Sequence, residues 1–419
     1  MILEFSVTNF RSIREKQTFS MLAYGSQSKL DNTFEVELKN GDKIRLIKTA
    51  GIYGANASGK SNLIRALSNL QRFITKTSNI DIDKPIYFYD PFLFNPTNAN
   101  SQTEFELYFI HEKLKHRYYI AFNGEAINQE TLDYYPNTKK KNIFTRPFKI
   151  NEKDSNLHIG RLSKDNDYKV YDIFKKLPLL SIFGKADNYH SQISPIFSYF
   201  NNMEIANILA FSTSNIYLQN EIAQEIDKRE NFFMKKQLDK LIKVADTKIE
   251  KITFEVSNKS EKKILGNHAI YDDKQKIGNY ELPFKDESAG TNMLFIIGSL
   301  ILKALSKGNL VIFDEIDTSL HPRLSRFLIS LFHHPISNPK NAQLIFTTHE
   351  ANILDKNNMR ADQIWFAEKN NFGETIFYSA QDFDGIREDI PFDKWYLAGK
   401  FGAIPNIQEL EFIFGKDEE

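Results

Sequence analysis

The sequence predicts an α/β fold: a mixed sheet with flanking helices, interrupted by an inserted α+β or helical middle region. Three observations predict it. Apolar strands alternate with amphipathic helices toward both ends of the chain, over residues 44–74 and again over residues 291–366, and such alternation builds a largely parallel sheet. A glycine-rich turn joins the first of these strands to its helix. The stretch between the two ends shows no such rhythm.

Taken in order, Ile2–Val7 alternates as a strand does, and Ile44–Tyr53 reads as a second strand. Leu63, Ile64, Leu67, Leu70 and Ile74 then recur at helical spacing over Ser61–Ile74. Phe105–Phe109 and His116–Phe122 look like paired strands. Asn220–Lys251 reads as mostly helical, with Phe232, Phe233, Leu238, Leu241, Ile242 and Val244 on its apolar side. Thr291–Leu305 is a buried or amphipathic helix, Leu310–Phe313 an apolar strand, and Pro322–Phe332 a helix with proline in its first turn. Leu344–Thr348 and Ile364–Phe366 complete the strands. The expected division is residues 1–125 as a first lobe, 126–283 as the inserted region and 284–419 as a second lobe.

Composition narrows the function. Lys+Arg and Asp+Glu both number 54, so no global field draws the chain to nucleic acid. Cysteine is absent, which removes disulfides, thiolate metal sites and cysteine nucleophiles together. MILEFSVTNFRSI lacks the basic and apolar regions of a signal peptide, and no run of 18 apolar residues appears. A cytoplasmic protein that does not span a membrane is expected.

Gly54-Ala55-Asn56-Ala57-Ser58-Gly59-Lys60-Ser61 matches G-x-x-x-x-G-K-[ST] in its strand–loop–helix context. Glycines let successive N–H groups point at phosphates, Lys60 adds a point charge, Ser61 offers a hydroxyl to Mg²⁺, and the helix aims its positive end at the site. Leu310–Phe313 ends in Asp314-Glu315, at the sheet edge where α/β ligands bind. There Asp314 suits Mg²⁺ and Glu315 suits a general base that polarises the attacking water. Thr347-Thr348-His349 follows another apolar strand, 35 residues (349 − 314) after Asp314, where a histidine can sense the γ-phosphate. In Glu287-Ser288-Ala289-Gly290-Thr291, Ser288 can cap the next helix and Gly290 permits close backbone approach.

This ordered set resembles the ABC-type ATPase heads of the Rad50, SMC, RecF and OLD group. Val7-Thr8-Asn9-Phe10-Arg11-Ser12 and Asn56-x-Ser58-Gly59-Lys60-Ser61-Asn62 look like that group too. Asp314-Glu315-Ile316-Asp317-Thr318-Ser319-Leu320-His321-Pro322 and Gly399-Lys400-Phe401-Gly402-Ala403-Ile404-Pro405 are similar to its compact, OLD-like branch, the AAA15 ATPases. The resemblance covers both ends of the chain well and the middle poorly. It implies ATP and Mg²⁺ as ligands. Gly54, Asn56, Ala57, Ser58, Gly59, Lys60, Ser61 and Asn62 would line the nucleotide, with Lys60, Glu315 and His349 catalytic and Ser61 and Asp314 on the metal. Ser288 and Gly290 would touch the γ-phosphate of a second subunit, so that ATP holds a dimer or a higher homo-oligomer together. Three departures stand out: the signature reads Glu-Ser-Ala-Gly-Thr rather than Ser-Gly-Gly-Gln, His321 occupies the place of a D-loop aspartate, and Gln102 is only a weak counterpart of the Q-loop glutamine.

Gly54 and Ser288 lie 234 residues apart (288 − 54), too few for a long SMC or Rad50 arm, and 70 residues (419 − 349) follow His349, too few for the Toprim nuclease of OLD proteins. Stand-alone members of the branch resemble ATPase subunits of bacterial anti-phage systems. That likeness implies a sensor and scaffold controlling a separate nuclease or toxin effector, with DNA or a phage protein as trigger. The alternative is a RecF-like DNA-binding clamp in repair, in which Lys139-Lys140-Lys141 and Lys235-Lys236 would touch phosphates; solvated faces on a neutral protein are the plainer reading of those lysines. Arg11 is read either as approaching the nucleotide or as an exposed turn residue. A transporter ATPase is disfavoured by the degenerate signature and the large middle.

Overall fold

The computed structural model describes residues 1–76, 83–146, 156–157, 168–169, 175–184, 192–207, 215–228, 231–245, 248–258, 261–387 and 389–405. Its central sheet has six strands in the order Glu204–Asn207, Leu310–Asp314, Gln343–Thr347, Thr49–Tyr53, Ile364–Lys369 and Thr375–Ser379. The first five run parallel and the last is antiparallel, so the sheet is mixed. Strands buried on both faces read as continuous apolar runs, which is why Leu310–Phe313 and Leu344–Thr348 were legible.

Residue alternation sorts the two faces. Ala50, Ile52, Ile312, Ile345 and Trp365 pack into one core with Leu63, Ile64, Leu67, Leu70 and Ile74 of the helix Lys60–Thr75. Tyr53, Val311, Phe313, Leu344, Phe346 and Phe366 pack into the other with the helices Ala289–Lys307 and Pro322–His333. Ser288 caps Ala289–Lys307 at its start, and Gly308 in the left-handed region (φ 75°) ends it. That helix is the one among the described residues long and apolar enough to cross a membrane by length and composition, yet 67% of its window is buried inside the fold. It is a core helix.

Lys60–Thr75 is covered on its far side by a second, antiparallel sheet ordered Gln17–Ser20, Ile2–Thr8, Thr103–His111, Leu114–Phe122, Ile127–Tyr135 and Lys141–Arg146. Phe5, Val7, Phe105, Leu107 and Ile120 supply its buried face. The boundary expected between residues 125 and 126 falls between two neighbouring strands of this sheet. Glu204–Asn207 likewise lies within the 126–283 stretch but forms the edge of the central sheet, beside Leu310–Asp314. Helices of that stretch, Asn215–Ile226 and Phe232–Ala245, pack on Ala289–Lys307.

Three local readings are corrected. Ile44–Tyr53 is two strands: Lys43–Ile47 pairs with Thr33–Glu37, and Thr49–Tyr53 enters the central sheet. The chain changes sheets at Lys48, whose buried ammonium donates to His333 O at 3.2 Å. Asn220–Lys251 is two helices followed by the strand Ile249–Asn258. Its apolar side is Leu238, Leu241 and Ile242, whereas Phe232, Phe233 and Val244 are exposed. The strands Ile249–Asn258, Glu261–Asp272 and Gln275–Pro283 form a small antiparallel sheet that the sequence did not announce.

Candidate nucleotide-binding and catalytic site

Three parallel strands end side by side, and their following loops converge. Thr49–Tyr53 runs into the glycine-rich turn, Leu310–Asp314 into Glu315, and Gln343–Thr347 into Thr348-His349. This is the carboxyl edge of the sheet, with the N-terminus of Lys60–Thr75 aimed into it.

The turn cannot be built from other residue types. Gly54 (φ 154°) has Ala367 O where a Cβ would stand, 2.3 Å away, and Gly59 (φ 102°) has Thr375 Oγ1 at 2.1 Å. Ala57 also adopts a left-handed φ of 63°. Asn56 and Ala57 are exposed at the tip, while Ser58 is buried and its Oγ has no hydrogen-bond partner. Asn62 Nδ2 donates to Ser12 Oγ at 2.6 Å, tying the turn after the first strand to the helix.

Lys60 is buried, and its Nζ donates to Gly54 O (2.7 Å) and Ala55 O (2.9 Å). Burial holds its pKa down at about 8, against the upward pull of Glu315, Asp314 and Asp317. The same Nζ lies 3.3 Å from His349 Nδ1, and His349 Nε2 lies 3.3 Å from Glu315 Oε1. A protonated lysine requires Nδ1 to accept, which leaves Nε2–H to donate to the carboxylate, so one neutral tautomer satisfies both contacts. Asp314 is fully buried. Its Oδ1 accepts from Ser61 Oγ (2.9 Å) and Thr347 Oγ1 (2.7 Å), while its Oδ2 has no partner. Glu315 stands in the left-handed region (φ 59°), with its N–H donated to Thr347 Oγ1 at 2.7 Å and Thr318 Oγ1 donating to Oε2 at 3.3 Å. That strained conformation points successive carboxylates to different places.

Lys60, Ser61, Asp314, Glu315 and His349 are therefore brought together. Ser288 and Gly290 have other neighbours: Ser288 Oγ accepts from Thr291 N at 3.1 Å, and a Cβ on Gly290 would stand 3.0 Å from Ser319 O. Ser288 is exposed. His321 caps Pro322–His333, its Nδ1 accepting from Arg323 N at 3.2 Å. Gln102 is engaged with Glu104 (2.8 Å) and Asn128 (3.2 Å) on the antiparallel sheet, and Arg11 pairs with Asp90 at 3.3 Å. Of the lysines weighed for phosphate contact, Lys140 pairs with Asp133 (3.6 Å) and Lys235 with Asp227 (3.4 Å). Sequence reasoning missed Thr347, which joins Asp314 to Glu315, and Thr375, which donates to Ser58 O at 2.8 Å. Thr347 was inside the recognised Thr-Thr-His run, whereas Thr375 carries no motif.

A buried carboxylate with one free oxygen beside a serine hydroxyl fits a hard divalent cation, which takes oxygen donors from one or two protein groups and from phosphates. An unpartnered serine hydroxyl and a lysine ammonium at the mouth of a glycine turn fit phosphate oxygens. Residues 50–355 match the family described as "AAA domain, putative AbiEii toxin, Type IV TA system". No curated protein matches the chain.

Proposed function

Because this chain belongs to that AAA-domain family, a P-loop ATPase family related to defence systems, we propose that it binds and hydrolyses ATP as the sensor and scaffold subunit of an anti-phage system. Control of a separate nuclease or toxin is part of that reading, and the toxin system named in the family's description supports it. The single observation carrying the ATPase reading is the convergence of Lys60, Ser61, Asp314, Glu315 and His349 at one sheet edge.

Each residue's part follows from its surroundings. The backbone N–H groups of the turn and the Lys60 ammonium hold the phosphates, and exchanging Gly54 O and Ala55 O for phosphate oxygens frees that ammonium from its resting contacts. Ser61 Oγ and the free Oδ2 of Asp314 would hold Mg²⁺, which supplies charge neutralisation on the phosphates when bound. Glu315, held by Thr318 and Thr347, orients and deprotonates the attacking water. His349 links Glu315 to Lys60, so the general base and the phosphate-binding cation respond to each other.

The exposed Ser288 and the neighbouring Gly290 are read as the surface that meets the γ-phosphate of a second copy, making ATP the adhesive of a dimer or larger assembly. No observation favours the DNA clamp over this reading. The test is the solution mass of the purified protein with ATP and Mg²⁺, for wild type, Lys60→Ala and Glu315→Gln. A larger ATP-dependent assembly that Glu315→Gln locks and Lys60→Ala abolishes is expected. Identical masses with no hydrolysis in all three would sink the proposal.

A further inference from the structure

Beside the P-loop, two rigid loops end in exposed aromatic rings. Phe94 and Phe372 are each 76% exposed. Their mounts are fixed. The turn that carries Phe372 is closed by Asn370 Oδ1, which accepts from Phe372 N (2.9 Å) and Glu374 N (3.0 Å). Arg14 clamps the two loops together, donating to Glu374 Oε1 at 2.7 Å and to Asn98 Oδ1 at 3.1 Å. The Phe94 ring lies on Gly373, where a Cβ would stand 2.6 Å from Cδ2, and the φ of 78° there favours glycine next to Phe372.

The position matters as much as the rigidity. Thr375 donates to Ser58 O of the P-loop, meets Ser12 Oγ at 2.7 Å and fills the space over Gly59. Gly373 precedes Thr375 by two residues, a reach of about 7 Å at most. The rings thus stand within a nucleotide's length of the phosphate cradle. Single exposed apolar side chains are ordinary, but two exposed rings at this place, Phe94 held edge-on by Phe92 at 5.6 Å and lying against the residue next to Phe372, call for a ligand.

We propose that Phe94 and Phe372 form the stacking platform for the base of the nucleotide whose phosphates the P-loop holds, an inference that rests on the nucleotide reading above. Every base offers a π-face, and stacking on an aromatic side chain is worth about five- to a hundredfold in affinity. Recognition by stacking accepts any purine, so ATP and GTP should bind comparably through this contact.

The test measures dissociation constants of the full chain with Mg²⁺ for three probes: ATP, GTP and inorganic tripolyphosphate. The double variant Phe94→Ala/Phe372→Ala is expected to bind ATP and GTP at least about fivefold more weakly and tripolyphosphate as wild type does. Phe94→Trp, which keeps a ring, is expected to keep the affinity. Unchanged ATP and GTP binding would overturn the platform, and so would equal weakening of all three probes, which would show that the loops only shape the P-loop. Weakened ATP with unchanged GTP would overturn the tolerance of bases. A wild-type chain that binds none of the three overturns the P-loop reading itself, which sets that failure apart from the others.

Discussion

Raising the pH should loosen nucleotide binding through Lys60. Burial holds this ammonium at about 8 instead of the ordinary 10.5. Only the charged form attracts phosphate, and a bound phosphate favours that form, restoring a pKa well above the working range. With the free protein titrating near 8, about one molecule in thirty carries the charge at about pH 9.5, so affinity falls about 30-fold from about pH 7 to about pH 9.5, or about 2 kcal/mol. ADP with Mg²⁺, titrated calorimetrically in two buffers of different ionisation heat, reports both quantities: the weakening, and uptake of close to one proton at the higher pH. A flat affinity, or the same slope in Lys60→Arg, whose guanidinium does not titrate, would refute the reasoning. Stability moves the other way. The folded-state pKa is depressed below the unfolded one, so between about 8 and about 10.5 the unfolded chain binds more protons, and Lys60's burial penalty, complete below about pH 8, is relieved as pH rises.

Glu315→Gln should keep nucleotide affinity and lower phosphate release by about 10²–10⁴-fold, the usual weight of a general base. Gly59→Ala should destabilise the fold by at least about 2 kcal/mol in urea unfolding, because φ is 102° and the new Cβ meets Thr375 Oγ1 at 2.1 Å. Arg360→Ala should cost about 3–5 kcal/mol by the same assay. Arg360 and Asp362 are both buried and paired at 2.7 Å, and the truncation leaves the carboxylate without its cation, with the bond from Tyr24 N (2.9 Å) still in place.

Four of the six strands of the central sheet, and the residues gathered at its carboxyl edge, were legible because each of these parts is local, whereas Glu204–Asn207 and Thr375–Ser379 were not expected as strands. A buried parallel strand is a short apolar run, and the P-loop, Asp314-Glu315 and His349 each follow such a run directly. What was not legible depends on partners distant in the chain. Ser12 and Thr375, in contact at 2.7 Å, are 363 residues apart, and nothing in either neighbourhood marks them as a pair. Lys48 looked like one residue of a continuous strand because its role, donating to His333 O, exists only after folding. Phe232 and Phe233 were grouped with Leu238, Leu241 and Ile242 on one apolar side by hydrophobicity alone, yet only the latter three are buried. The small sheet over Ile249–Pro283 escaped notice because the consecutive residues Ile270 and Tyr271 are both exposed, so alternation of burial fails there.

The strand that leads into the P-loop is bordered by Gln343–Thr347 on one side and by Ile364–Lys369 on the other. A ribosome reaches the nearer of these about 290 residues after Tyr53 (343 − 53). At about 5–20 residues per second, that delay is roughly 15–60 s. Throughout it, Ala50, Gly51, Ile52 and Tyr53 present two open edges and an apolar surface, a template for pairing with the wrong chain. ATP cannot shorten the wait, because Asp314 and His349 are also still to come. Newly made chains should therefore lean on a holding chaperone during that interval, and a slowed ribosome should cost this protein more yield than one whose P-loop strand pairs with near neighbours.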